Sequence, residues 1–454
     1  MTSKSETITL IGAGLNGPLL AIGLVKRGFR VEIYERRPDM RRTRVSAGRS
    51  INLALSARGI HALTQAGLWE EMRKIIVPMK GRMMHSSTGE QTFQPYGRDD
   101  SEVINSISRA DLNIALMNAA EAQGVKIYFQ QRCTGFDLKT RAVRLRDEEG
   151  GTERSLETGV VIGCDGSASV LREALLKRSR FNFSQQYLDY GYKELTIPAG
   201  PSGKHLIETH ALHIWPRGNY MLIALPNVDG TFACILFLPF EGPDSFEQFR
   251  SRSAVDEFFL SRFPDATSIM PELADNFFAN PVGAMVTIKC SPWFVDEKIL
   301  LLGDAAHAIV PFFGQGINCG FEDCTILLDL LDRLGPDWKR VFREFEEARR
   351  DNTDAIADMA VENFVEMRDR VADPRFLFRK KVELALQARY PDLFVPKYAM
   401  VTFHRVPYAT ALKRGQIQDR MLNELCNGIE RIEDVDWGIA ERLVSRELTP
   451  LELP

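Results

Sequence analysis

Apolar and polar positions along the chain fall into two kinds of pattern. Residues 6–11, ETITLI, form a short apolar run rich in β-branched side chains, which predicts a buried strand. GAGLNG follows as a glycine turn. PLLAIGLVKRG then spaces its apolar positions as a helix does, up to Gly28, a residue suited to ending one. RVEIYE (30–35) reads as a second strand, so residues 6–35 predict a βαβ unit and a parallel sheet. The stretch 109–129 reads as a helix, a stop at Gly124 and a strand. GVVIGCDG (159–166) and KILLLGD (298–304) are further apolar runs, each closing on glycine and aspartate. Residues 192–240 differ. KELTI, LHIW, NYMLIAL and TFACILFL are short strand-like runs separated by PRG and NVDG, the marks of an antiparallel meander. From about residue 320 the pattern is mostly helical, with KRVFREFEEARRD and DRMLNELC as amphipathic examples. The fold class expected is therefore α/β: a Rossmann-like parallel sheet, an inserted, mainly antiparallel β-sheet domain and a helical C-terminal region.

Composition narrows the possible functions. The 454 residues, 44% of them hydrophobic, can build one large or two to three ordinary domains. Lys plus Arg number 57 and Asp plus Glu 61, a net charge of −4, with no basic tract; nucleic acid is not an expected partner. Seven cysteines, an odd number without CxxC pairs, suit a reducing compartment rather than a disulfide framework. Cys319 and Cys324 have no second ligand pair nearby, so no metal is expected. MTSKSETITL does not read as a signal peptide, and no apolar run reaches the roughly 18–20 residues of a membrane helix. A cytoplasmic protein without a membrane anchor is expected.

Three motifs carry the candidate chemistry. Gly12, Gly14 and Gly17 form GxGxxG between strand and helix, with Asn16 inside the loop. The first glycine permits the tight turn, the second lets backbone approach a pyrophosphate, and the third allows close helix–strand contact. The helix N-terminus offers free N–H groups and partial positive charge to phosphate. Glu35 closes the second strand 23 residues after Gly12, where a carboxylate can accept from ribose hydroxyls; Arg36 and Arg37 follow it and leave NAD or FAD open. The second motif is CDGSASVLRE (164–173), with Asp165 at a strand end and Arg172 placed to close the loop. The third is GDAAHAIVPFFGQGINCGFED (303–323), with Asp304 again at a strand end and glycines at 314, 316 and 320.

GxGxxG, DGxxSxxR and GDAAHxxxPxxGxGxN in this order resemble the flavoprotein aromatic hydroxylases. The resemblance implies bound FAD, with Asp304 on its ribityl chain and the 314–318 segment, including Gly316, Ile317 and Asn318, opening a helix toward the flavin. Further segments extend it: GRSINLALSARG (48–59), PYGRDD (95–100), SQQYLDYGYKELTIP (184–198), LHIWPRGNYMLIALPN (212–227) and PKYAMVTFHR (396–405) are similar to those of the kynurenine 3-monooxygenases, in their soluble bacterial form. That family implies hydroxylation of L-kynurenine to 3-hydroxy-L-kynurenine through a flavin hydroperoxide. NADPH is then a transient co-substrate and O2 the oxidant; a monomer or homodimer is expected, the sequence not choosing between them. It implies an FAD-binding domain of residues 1–75, 100–185 and 285–365, a substrate domain of 76–99 and 186–284, and a C-terminal region of 366–454. Arg82 and Tyr96 match the positions that hold the substrate carboxylate. Asn363 and Tyr398 match further substrate positions, and Phe312 and Phe313 an apolar wall near the reacting ring. Ala54, Arg109, Cys133 and Val170 fall where the family touches FAD, the first, third and fourth through backbone or packing. The chemistry is borne by the flavin, so no catalytic side chain is expected, and His307, the most tempting base, is read as structural. Three other readings remain at this point: a flavin hydroxylase of another aromatic acid, a flavoprotein scaffold without turnover, and an oxidase that makes hydrogen peroxide.

Overall fold

The computed structural model describes residues 7–42, 52–97, 101–367 and 374–453; parts of segments quoted above, 1–6, 48–51 and 98–100, lie outside the described residues. A six-stranded sheet runs in the order Phe294–Val295, Ile299–Leu301, Val160–Gly163, Thr7–Ile11, Arg30–Tyr34, Lys126–Tyr128. All its pairs are parallel except the edge pair Phe294–Val295 with Ile299–Leu301. Its central strands, Thr7–Ile11, Val160–Gly163 and Ile299–Leu301, are buried on both faces, which is why ETITLI and KILLL read as continuous apolar runs. Helix Asn16–Lys26 packs on helix Gly316–Leu334, which also packs on Ala57–Gln65 and Trp338–Val365. Gly23 sets the first of these contacts: a Cβ there would lie 2.2 Å from Leu328 Cδ1.

The second sheet has seven strands, in the order Val282–Ser291, Asn182–Ile197, Phe232–Pro239, Met221–Pro226, Ala211–Pro216, Gly81–His85, Gln91–Pro95. One pair is parallel, Ala211–Pro216 with Gly81–His85, because the latter arrives from the N-terminal half of the chain. Period-2 alternation divides the faces. Met221, Ile223, Leu225, Ile235 and Phe237 line a cavity shared with the parallel-sheet domain. Leu222, Ala224, Leu236 and Leu238 turn the other way, onto Val255 and Phe259 of helix Arg252–Arg262.

One expected element is longer than its pattern. KELTI is the end of a 16-residue strand, Asn182–Ile197, whose first half is polar and exposed and pairs with Val282–Ser291. Hydrophobic periodicity cannot reveal a strand that buries neither face. The expected boundaries at 185/186 and 284/285 fall inside these two strands. The C-terminal region comprises helices Pro374–Arg389, Lys397–Thr402, Tyr408–Leu425 and Trp437–Glu447. Among the described residues no helix is long and apolar enough to cross a membrane.

Phe259 is wholly buried on the face of the second sheet that turns away from the cavity. Phe259→Ala should cost about 3–5 kcal/mol and lower the thermal midpoint by several degrees while leaving FAD affinity, read by flavin fluorescence titration, unchanged. Loss of FAD from a folded variant would contradict this separation of the two faces.

Candidate active site

The carboxyl ends of three parallel strands meet at one level. Cys164 N donates to Ile11 O at 2.8 Å and Leu302 N to Gly163 O at 2.9 Å, so the turns carrying Gly12, Asp165 and Asp304 abut. Gly12 has φ 104°, and a Cβ there would lie 2.4 Å from Cys164 O. At Gly17 a Cβ would lie 2.1 Å from Gly12 O, whereas one at Gly14 would meet nothing within 4 Å. Gly17 therefore serves packing, and Gly14 leaves open space on the cavity side. Helix Asn16–Lys26 begins inside GAGLNG with no side-chain cap and no acid in its first turn, so its first amides remain available.

Glu35 is buried beside this loop. It accepts from Ala13 N at 2.8 Å and from Arg37 N and Nε at 2.9 and 2.8 Å. Burial alone would raise its carboxyl, but the hydrogen bonds and charge of Arg37 hold it below the usual range. Arg36 and Arg37 stand exposed at the cavity edge. Asp165 Oδ2 takes Val170 N at 2.8 Å, while its Oδ1 is buried without a hydrogen-bond partner. Arg172 ties the second motif to the third, donating to Ser167 O at 2.5 Å and Ala305 O at 2.9 Å. Asp304 lies deep in the molecule, yet its carboxylate is open to the cavity; burial raises it, and Arg109 opposes that rise.

Pro311–Phe313 form a single 3-10 turn, and Gly314 at φ 65° reverses the chain into helix Gly316–Leu334. This helix too has no side-chain cap and no acid in its first turn, and Gly316 and Ile317 line the cavity. Asn318 laces the turn together: Nδ2 donates to Ala54 O and Gly314 O at 2.8 and 2.9 Å, and Oδ1 accepts from Ser56 N at 2.9 Å.

Beyond this loop the cavity becomes aromatic. Arg82 stands on strand Gly81–His85, beside the strand that leads into Tyr96. Its guanidinium carbon lies 5.6 Å from the Tyr96 ring centre and 5.2 Å from that of Tyr398, and the two rings stack at 5.8 Å. Arg82 Nε is buried with no hydrogen-bond partner. Burial, and Tyr398 beside it, push the Tyr96 phenol up against the pull of Arg82, so it stays protonated and able to donate. Phe313 stacks on Tyr398 at 5.5 Å, and Phe312 on Phe364 at 4.2 Å.

The structure brings most of the expected site residues to one cavity of about 540 Å³. Gly12, Gly14, Asn16, Glu35, Arg36, Arg37, Ala54, Arg109, Cys133, Asp165, Val170, Asp304, Gly316 and Ile317 line its long arm. Arg82, Tyr96, Phe312, Phe313 and Tyr398 line its aromatic end. Gly17, Asn318 and Asn363 stand behind the lining. Asn363 Nδ2 donates to Phe312 O at 2.6 Å and so holds the 311–313 turn. The apolar wall of the second sheet was not singled out from the sequence, although the alternation of MLIAL and CILFL carries it.

His307 does not line the cavity. Its Nε2 meets Asp323 Oδ2 at 2.6 Å, and Asp323 also accepts from Gly303 N and Arg349 Nε at 3.0 and 2.7 Å. Ligand-type atoms of His307, Cys319 and Asp323 lie within 4.8 Å of one another, but Arg349 already places its positive charge on Asp323 and, at 3.3 Å, on Cys319 Sγ. Burial would lower the His307 imidazole; the Asp323 carboxylate overrides it and lifts the imidazole well above its ordinary value.

Uncapped helix N-termini, an open Gly14 and the unpartnered Asp165 Oδ1 suit FAD. Gly14→Ala should keep the thermal midpoint and weaken FAD about tenfold or more, while Gly17→Ala should lower both. Equal effects of the two on stability would contradict these roles. For His307, a raised folded value means stabilisation that is fully present below the unfolded value of about 6.5 and lost as pH rises through the folded one. The stability deficit of His307→Ala, read by urea unfolding, should therefore be largest at about pH 5–6.5 and shrink toward pH 9; a deficit that grows with pH would contradict the ion pair.

Comparison with known proteins agrees with this geometry. Residues 5–334 match the FAD binding domain family. The chain is 54% identical over 449 residues to the kynurenine 3-monooxygenase of Myxococcus xanthus, covering 99% of this chain and 97% of that protein. It is 43% identical over 459 residues to the kynurenine 3-monooxygenase of Dictyostelium discoideum, covering 98% of each. Among solved structures, 2-methyl-3-hydroxypyridine-5-carboxylic acid oxygenase shares the fold, with a TM-score of 0.67 at 20% identity over 83% of this chain and 96% of that one. By identity along nearly its whole length, and by the three strand-end motifs that meet at one cavity, the chain belongs to the kynurenine 3-monooxygenase family of FAD-binding proteins.

Proposed function

We propose that this chain hydroxylates L-kynurenine at ring carbon 3, consuming NADPH, a proton and O2 and releasing water and NADP+. One observation carries the reading: Arg82, its Nε buried and unpartnered, stands between two tyrosines at the aromatic end of a cavity whose other end is a dinucleotide cradle. Tyr96, Tyr398 and the charge of Glu366 act on this guanidinium, but its buried Nε has no hydrogen-bond partner, which a ligand carboxylate would supply. An α-amino acid carrying an aromatic ring supplies both the anion and the apolar body.

The chain's residues then divide the work. The 12–17 loop and the first amides of helix Asn16–Lys26 would hold the pyrophosphate of FAD, Glu35 the adenosine ribose, Asp304 the ribityl chain, and the Gly316–Leu334 N-terminus the flavin ring. Bound FAD supplies the two-electron activation of O2. Arg82 grips the substrate carboxylate in bidentate fashion and Tyr96 adds a donated hydrogen bond. Ile223, Ile235 and Phe237 with Phe312 and Phe313 confine the ring and exclude water. The substrate's own amino group enriches its ortho carbon, so the protein needs only to place that carbon. Asn363, through the Phe312 carbonyl, keeps the wall in position. We also place the protein in the cytoplasm, a reading supported by cysteines that are all free.

Arg82→Ala should lower kcat/KM for L-kynurenine by roughly a hundredfold or more, as expected when a charged hydrogen-bonded partner is removed from a desolvated site, and leave FAD affinity intact. The check is formation of 3-hydroxy-L-kynurenine at limiting substrate. A variant with wild-type kcat/KM would remove Arg82 from this role.

A further inference from the structure

A buried polar cluster outside the cavity joins its two ends. Arg58, on helix Ala57–Gln65, has a side chain with no exposed surface. Its Nη1 donates to Val401 O at 2.6 Å and His404 O at 3.1 Å, Nη2 donates to Val406 O, and Nε meets Glu322 at 2.9 Å. These carbonyls belong to the end of helix Lys397–Thr402, which carries Tyr398, and to the turn after it. The same guanidinium lies 3.8 Å over the ring of Tyr408, the first residue of the next helix. Tyr408, fully buried, donates from Oη to Gln315 Oε1 at 2.9 Å, and Gln315 Nε2 reaches Ser56 Oγ at 3.3 Å. Gln315 sits between Gly314 and Gly316 as the residue that starts helix Gly316–Leu334.

Two side chains thus hold both ends of the site. Arg58 fixes the segment that places Tyr398 against the substrate position. Tyr408, clamped on Arg58, fixes the residue at the centre of the loop that faces the cofactor position. Arg58, Tyr408, Gln315 and Ser56 are buried, so breaking a contact among them leaves an unpaired donor or acceptor and they move together.

We propose that Tyr408 and Arg58 are positioning residues that couple filling of the aromatic end to the placement of the Gly314–Gly316 backbone. When a ligand bears on Tyr398, the 401–406 turn shifts with it, and the Tyr408–Gln315 hydrogen bond carries the shift to the loop. The inference rests on the substrate reading given above and adds to it how the cofactor end senses the substrate end.

The test uses FAD-loaded full-length protein, titrated with L-kynurenine while the visible absorbance of the flavin is followed. Tyr408→Phe removes only the hydroxyl and keeps the ring under Arg58; Gln315→Leu removes the acceptor. Each variant is expected to retain one FAD per chain. Each should lose roughly fivefold or more of two quantities: the L-kynurenine-induced absorbance change at saturation, and the ratio of NADPH-driven flavin reduction with and without L-kynurenine. The double variant should lose no more than either single, because both act through one bond. Wild-type responses in Tyr408→Phe and Gln315→Leu would overturn the inference, as would independent, multiplying losses in the double variant. Failure of both variants to retain FAD would also overturn it, by making the contact a matter of folding alone. A wild-type protein whose flavin does not respond to L-kynurenine would instead overturn the substrate reading, and this inference with it.

Discussion

Everything in this site depends on the register of three parallel strands. Ile11 pairs beside Gly163, and Gly163 beside Leu301. Because those strands end level, turns distant in sequence become neighbours, and each ends in a residue that can face one long ligand. The central parallel strands are buried on both faces, so this sheet offers its ligand-binding groups from its strand ends. The glycines follow from that crowding. Gly12 and Gly17 exist because backbone carbonyls stand where a Cβ would be.

The second constraint is electrostatic. The cavity collects two uncapped helix N-termini, the Arg82 guanidinium and the protonated Tyr96 phenol. All favour anions, in the cofactor arm and at the aromatic end of the cavity. The cavity's carboxylates are spaced along it: Glu35 neutralised by Arg37, Asp165 held by backbone amides, and Asp304 facing Arg109. The charge of Asp323 is spent on His307 and Arg349 instead, behind the lining. A histidine beside a cavity is thereby turned into a brace, and the reaction is left to a cofactor.

Much of this was legible in the chain. Apolar runs ending in glycine and an acid mark strand ends, and three of them point to one nucleotide crevice. The motifs located the glycine loop, Asp165 and Asp304 because backbone geometry leaves a residue-type imprint. Arg82 and Tyr398 were reached only by resemblance: an arginine on a short strand and a tyrosine in a run without period carry no imprint of burial. Arg58, Gln315 and Tyr408 left less still, since their partners are backbone carbonyls or residues as far as 348 positions away. The polar half of Asn182–Ile197 escaped for a different reason, because a strand exposed on both faces has no hydrophobic period.

Central to the proposed function is that Arg82, whose buried Nε has no hydrogen-bond partner, is completed by a ligand carboxylate. Its most direct test compares binding of L-kynurenine with that of its decarboxylated analogue to the FAD-loaded wild-type protein, by flavin absorbance titration. Loss of the carboxylate leaves the buried Arg82 Nε without its ligand partner, so the analogue should bind about a hundredfold more weakly or worse. Equal affinity for the two would contradict the account.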